Sequence, residues 1–206
     1  DLWPVIGNRE GPLDMPMKVS RDMQTWTDVD FPRRALSIGR FGEWDSGMVY
    51  GANTMLVVDD EIRLYYLGAN MGHCTNVLPM TRPYHSLGVG LATLRLDGFA
   101  SLRPFENQTG TVTTRPMVLQ GQQLFLNADC RTDGWIKVEL LDADDRPLPG
   151  FTMAECEPVL GDSLRHRVRW KNDRSLPADT RSPIRIRLTV HNADLYSFRA
   201  GSETNE

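Results

Sequence analysis

Cysteine is scarce, cationic excess is absent, and neither a long apolar run nor a sustained helical repeat occurs in this 206-residue chain. Each absence removes a class of answer. Three cysteines, Cys74, Cys130 and Cys156, are too few and too scattered for a disulfide framework. One pair, Cys130–Cys156, is open to oxidation if the protein is exported; otherwise all three are free thiols, and the redox compartment stays undecided. The formal net charge of −4 argues against a nucleic-acid partner, because phosphate binding needs a basic surface. No apolar stretch approaches the ~20 residues of a membrane helix, so no membrane partner is expected. Asp1-Leu2-Trp3-Pro4 has neither the basic start nor the apolar stretch of a signal peptide, and there is no initiator Met. The expectation is a chain that begins inside something longer or after a removed segment, with an extracytoplasmic location left open. No His, Cys and Asp spacing matches a zinc site. No Gly-rich loop lies between a strand and a helix, as a phosphate cradle requires. No Ser, His and Asp order supports a nucleophile. No cofactor is expected.

What is present is an ordinary globular composition, 40% hydrophobic and 24% charged, enough for a core in one large or two small domains. The dominant signal is alternation between turns. Met48-Val49-Tyr50 and Thr54-Met55-Leu56-Val57-Val58 are short apolar runs, and Glu61-Ile62-Arg63-Leu64-Tyr65-Tyr66 alternates as a half-buried strand does. Asp59-Asp60 between them reads as a hairpin turn. Gly88 to Leu96 is a further strand, whose glycines predict close approach of a neighbouring backbone. Successive antiparallel strands over this span have the size of one propeller blade. Before Asp45, Met17 to Ser20, a turn at Arg21 to Gln24 and a strand opening at Trp26 suggest half of a similar unit. A half-unit cannot bury its apolar face alone, so earlier blades are missing from the chain or come from another copy by self-association. The long segment Gly68 to Ser86 holds His73, His85, Pro79 and Pro83, and a loop of that length is usually functional or mobile.

After Asp97-Gly98-Phe99 the texture changes. Gly110 to Thr114, Leu124 to Asn127 and Trp135 to Leu140 read as strands. In Leu164 to Trp170 the residues Leu164, His166, Val168 and Trp170 share one face, with arginines on the other; in Ile184 to Val190 the residues Ile184, Ile186, Leu188 and Val190 face in. Clean alternation with frequent turns fits an antiparallel sandwich or jelly roll with one wet face. The fold expected is therefore all-β, an incomplete β-propeller of about one and a half blades over 1–97, an antiparallel β-sandwich over 98–200 and a flexible tail over 201–206.

The candidate site residues cluster before and after the first of these strands. Asp45 precedes an apolar strand whose start would face a propeller's central funnel, where a carboxylate meets sugar hydroxyls; the competing reading is a turn-capping Asp bonded to its own backbone. Glu43 and Trp44 flank it, and Trp44 is either a stacking platform for a sugar or core packing. His73 and His85 are candidates for holding substrate, against exposed loop histidines. Asp22 and Arg21 are read as turn-stabilising. In the second half, Trp135 and Trp170 are either glycan platforms or core, with core favoured for Trp170. The strips Arg165, Arg167, Arg169 and Arg185, Arg187 are a solvated face or a site for an anionic polysaccharide.

Taken in order, these motifs resemble the last blade and accessory module of five-bladed propeller glycoside hydrolases, the invertase-like and arabinanase-like families 32 and 43. Ser20-Arg21-Asp22 followed by Trp26 is similar to their S-x-D…W turn. Glu43-Trp44-Asp45-Ser46-Gly47, Leu64 to Gly68 and His73 resemble their final blade. Gly90 to Phe99 resembles the strand that leaves the propeller. Leu126-Asn127-Ala128, Val138-Glu139-Leu140, Gly161-Asp162-Ser163, Trp170 and Ala193 to Phe198 resemble the module beyond it. The resemblance implies a sugar funnel and a carboxylate pair flanking the scissile bond. That pair belongs to blades this chain does not carry, so the resemblance implies carbohydrate as partner and no hydrolysis by this chain. Glu155-Cys156 looks like the invertase acid motif but lies in the sandwich region and is rejected. The alternative function is a non-catalytic carbohydrate-binding module, or a structural β-sandwich interaction module.

Overall fold

Residues 11–29, 34–72, 86–106, 108–177 and 182–202 are described by the computed structural model. Over them the chain is all-β, in several antiparallel sheets of which none is closed. No described helix is long and apolar enough to cross a membrane. Two units separate, Asp1–Leu96 and Asp97–Glu206.

In the first unit, β1 (Lys18–Val19) and β2 (Thr27–Asp28) pair antiparallel across the Ser20 to Trp26 turn. Asp22 holds that turn: its Oδ1 accepts the backbone N–H groups of Thr25 at 2.7 Å and Gln24 at 2.9 Å. Those two bonds, with the Ser20 hydroxyl, lower its carboxyl to about 2. The main sheet contains β3 (Met48–Gly51), β4 (Leu56–Val58), β5 (Glu61–Ala69) and β6 (Leu87–Arg95). Asp59 closes the β4–β5 hairpin at φ 54°, a left-handed turn conformation that Asp tolerates. The four apolar runs do not make four successive lanes. β3 and β4 share one edge of β5, β3 opposite Tyr66 to Ala69 and β4 opposite Glu61 to Arg63, while β6 covers the whole of the other edge. A backbone break at Ala52 to Met55 lets one lane carry both runs, with Ala52 N–H still bonded to Tyr65 O at 2.8 Å. Leu13 bridges Met48 in parallel on the free side of β3.

Directly opposite residues share a face. One face of this sheet therefore carries Val49, Gly51, Ile62, Leu64, Tyr66, Gly68, Gly88 and Gly90, and the other carries Tyr50, Tyr65, Leu67, Leu87, Val89 and Leu91. The first is covered by the preceding chain. On the second, those six side chains are 38–73% exposed, while Ala69 is buried and the end toward Glu61 and Arg63 is polar.

In the second unit one sheet has the order β7 (Thr109–Thr113), β10 (Arg185–Gly201), β8 (Gln123–Leu141), β9 (Gly161–Arg167). The two runs Leu124 to Asn127 and Trp135 to Leu140 belong to one strand, β8, interrupted where Asp133 takes φ 62°. β10 runs alongside it and slips register at His191/Ala193 and again at Leu195/Ser197. Each slip leaves one residue of β10 unpaired, Asn192 opposite Arg131 to Gly134 and then Tyr196, and turns the next side chains to the opposite face. The inward set accordingly changes from Ile184, Ile186, Leu188 and Val190 to Ala193 and Leu195, and then to Phe198 and Ala200. Without the bulges, half of β10 would present its apolar residues to water. Both halves of β8 and β10 enclose one core, completed by Phe151, Val159, Val168 and Trp170.

Cys130 and Cys156 are buried free thiols. Cys130 Sγ donates to Val159 O at 3.4 Å, and Cys156 Sγ accepts Val138 N–H at 3.2 Å. Burial pushes Cys130 up to about 11 and raises Cys156 as well, so neither is a reactive thiolate. The Cys130–Cys156 pairing open at the level of sequence is not made. Cys74 lies outside the described residues.

Candidate functional site

The loop entering β3 builds itself before it builds anything else. Gly39 N–H bonds Asp45 O at 3.3 Å, Glu43 N–H bonds Arg40 O at 3.0 Å, and Ser46 N–H bonds Glu43 O at 3.3 Å. Glu43 Oε2 accepts Arg40 N–H at 2.6 Å, so this exposed carboxylate caps its own turn. Gly47 N–H then joins the sheet through Ala69 O at 2.8 Å.

That loop lays Trp44 and Asp45 on the covered face of the sheet. Asp45 is 9% exposed. Its Oδ2 accepts the Tyr66 hydroxyl at 2.9 Å, a partner on β5 rather than its own backbone. The turn-capping reading of Asp45 therefore gives way to a tertiary hydrogen bond. Trp44 stacks on Tyr66 with ring centroids 5.8 Å apart and planes 24° from parallel, while 37% of it remains exposed. The three residues form one group: a buried carboxylate, a phenol that holds it, and an indole open to solvent.

Glycines make the room. A Cβ on Gly68 would lie 2.6 Å from both Trp44 Cζ3 and Asp45 Cβ, and one on Gly88 would lie 3.3 Å from Trp44 Cζ3. A Cβ on Gly90 would strike the Tyr66 ring. The strand glycines admit aromatic side chains, not the neighbouring backbone that their pattern predicted. Gly39 lies under both carboxylates: a Cβ there would collide with Asp45 Oδ1 and lie 2.7 Å from Glu43 Oε2. Gly68→Ala is expected to cost about 1–3 kcal/mol by overpacking and to displace Trp44, read as a loss of the near-ultraviolet circular dichroism of the Trp44–Tyr66 pair.

Burial first, then the Asp45 hydrogen bond and charge, raise the Tyr66 phenol above its ordinary 10.0. A tyrosine raised in the folded state stabilises below the unfolded value and loses that contribution as pH rises through the folded one. Asp45→Asn removes the charge, so the Tyr66 midpoint is expected to fall toward the ordinary value. Phenolate absorbance at 295 nm, with Tyr66→Phe as the difference standard, measures it.

Glu43, Trp44 and Asp45 are thus brought together, and Tyr66 joins them as the member that sequence reasoning left unassigned. Its one signal was its place in the alternation of β5 with Ile62 and Leu64. His73 and His85 lie outside the described residues. No group of three or more His, Cys, Asp or Glu among the described residues is placed to hold a metal ion.

In the second unit, Trp170 is core, 1% exposed, its indole N–H donating to Val138 O at 3.1 Å. Trp135 is half-buried on the outer face, stacked on His191 at 5.6 Å. Three of the five strip arginines pair with acids: Arg187–Glu139 at 2.9 Å, Arg167–Asp173 at 3.1 Å and Arg185–Asp145 at 3.2 Å. That pairing favours a solvated face over an anion site. Glu155 accepts the Thr152 hydroxyl at 2.8 Å, a turn-holding role.

Chemically, the Asp45 group offers a carboxylate hydrogen-bond acceptor beside a partly exposed aromatic face. Comparison with protein-family models, with curated proteins and with solved structures gives no match.

Proposed function

We propose that the first unit is the closing part of a glycoside hydrolase-like five-bladed β-propeller, that the second is the accessory β-sandwich following it, and that the Asp45 group is a neutral-sugar subsite. The observation that carries this reading is the exposed face of the first sheet. The row Tyr50–Leu67–Val89 crosses three strands, flanked by Tyr65–Leu91 and by Leu87, and these six side chains are 38–73% exposed. An apolar sheet face of this extent calls for another sheet against it, which is how blades stack around a propeller axis. The opposite face, carrying Trp44 and Asp45, is closed by its own loop and keeps one aromatic surface for ligand. Cleavage needs two carboxyl groups flanking the bond, and in this reading both belong to the blades that would complete the ring.

Two measurements on the 206-residue chain test the reading. Wild type should bind a hydrophobic dye or self-associate with rising concentration, and Val89→Lys with Leu91→Lys should abolish either behaviour while the far-ultraviolet spectrum stays β. Incubation with fructan and arabinan should release no sugar. A dye-silent monomer, or hydrolysis that disappears in Asp45→Ala, would contradict the reading.

A further inference from the structure

The outer face of the second unit carries a patch that neither the core nor the Asp45 group uses. Three rows cross β7, β10 and β8: Thr109–His191–Trp135, Thr111–Thr189–Lys137 and Thr113–Arg187–Glu139. Their neighbours in the chain, Val112, Leu188, Val138, Val190 and Ile136, all point to the core, so the polar rows point out. With strands ~4.8 Å apart and alternate residues ~6.8 Å apart, the rows span about 10 by 14 Å.

The chemistry of that patch is specific. One end is aromatic: Trp135 and His191 stack with planes 25° from parallel, and His191 Nδ1 lies 3.1 Å from Thr109 Oγ1, which fixes the imidazole. The rest is hydroxyl and charge-neutralised. Arg187 Nη1 bonds Glu139 Oε1 at 2.9 Å and its Nε reaches Thr113 Oγ1 at 3.4 Å. That ion pair cancels, leaving Lys137 as the single unmatched charge among the nine residues. Four of the nine side chains are threonine, a residue under-represented in protein–protein hot spots, and the aromatic surface is confined to one end rather than forming an apolar centre. A phosphate or polyanion would require several unpaired cations, and the Arg187 guanidinium is already committed. What remains is an aromatic platform beside a ladder of donors and acceptors. A neutral glycan matches it: the C–H face of a sugar ring on the indole, its hydroxyls on threonines and on Arg187, whose partner Glu139 is only 7% exposed.

We infer that this face, centred on Trp135 and His191, is a binding site for a neutral polysaccharide, separate from the Asp45 group. It does not depend on the propeller reading, because its residues all belong to the second unit.

Affinity electrophoresis of the whole chain tests it, in gels containing inulin, arabinan, xylan or mannan, with polygalacturonate as the anionic probe. At least one neutral polymer should retard the wild type. Trp135→Ala should weaken retardation at least tenfold. Thr111→Val with Thr189→Val, which keeps the shape and β propensity of the strands, should weaken it several-fold with the melting temperature held. The loss caused by Trp135→Ala should be of the same size in a Trp44→Ala background, which separates this site from the subsite of the first unit. Four results would overturn it: no neutral polymer retards the wild type; only polygalacturonate does; both second-unit variants bind like wild type; or binding is lost in Trp44→Ala and kept in the threonine variant.

Discussion

Asp194→Ala is expected to destabilise the second unit by about 2–4 kcal/mol, read as a lower urea midpoint with an unchanged slope. Asp194 is 1% exposed and lies between the two bulges of β10. Arg103 meets it as a fork, Nε to Oδ1 and Nη2 to Oδ2, both at 2.7 Å. Arg131, from the interruption in β8, adds a bond at 3.0 Å, and the Ser101 hydroxyl adds one at 2.8 Å. One carboxylate thus ties the bend of β10 to the bend of β8 and to the segment that bridges Leu102 to Leu195. The magnitude falls below that of a fully buried pair because both guanidinium groups stay about half exposed and can return to water. Arg103→Ala should cost less, since Arg131 and Ser101 still hold the carboxylate.

The same cluster sets an acid limit. Burial alone would raise the Asp194 carboxyl, but Arg103, Ser101 and Arg131 outweigh it and the net direction is down. A lowered carboxyl stabilises above its unfolded value, near 3.9, and that contribution disappears as pH falls through the folded one. Stability measured against pH should therefore fall off below about pH 4 in wild type. In Asp194→Ala that part of the slope should be missing.

Trp170→Ala is the second large effect, expected at about 3–5 kcal/mol, because it empties the largest buried side chain of the core. Its ring meets Phe151 edge-on at 5.2 Å and 75°. Trp170→Phe keeps much of the apolar contact but strands Val138 O, which the indole N–H now satisfies at 3.1 Å. That change should cost about 1–3 kcal/mol. Trp135→Ala, at a half-exposed cross-strand pair, should cost no more than about 1 kcal/mol. Equal losses at the two tryptophans would mean that Trp135 is core as well.

Alternation was the informative signal, and it failed where backbone geometry departs from period two. Glu61 to Tyr66 and Ile184 to Val190 read correctly because a strand with one wet face repeats every second residue. Beyond Val190 the bulge at Asn192, φ 43°, inverts the phase, and no single side chain announces that inversion. The two segments of β8 read as separate strands because Arg131 to Gly134 is polar and ends in Gly, although pairing with β10 resumes beyond it. The shared lane of β3 and β4 was equally hidden, since apolar runs say that strands exist and not which edge each takes. At the site, Asp45 and Trp44 stood out because a carboxylate and an indole precede an apolar strand. Tyr66 did not, because its bond to Asp45 spans 21 residues and is a product of tertiary packing. The strand glycines signalled close approach, and the aromatic identity of what approaches needed the register.

The proposed sugar subsite at Trp44 and Asp45 is tested most directly by the indole N–H resonances of the five tryptophans, assigned by single Trp→Phe variants and followed during titration with a fructan- and an arabinan-derived oligosaccharide. The account predicts a saturable shift at Trp44, its loss in Asp45→Asn, and a stationary Trp170. A Trp44 resonance that stays still to the solubility limit of both sugars would contradict it.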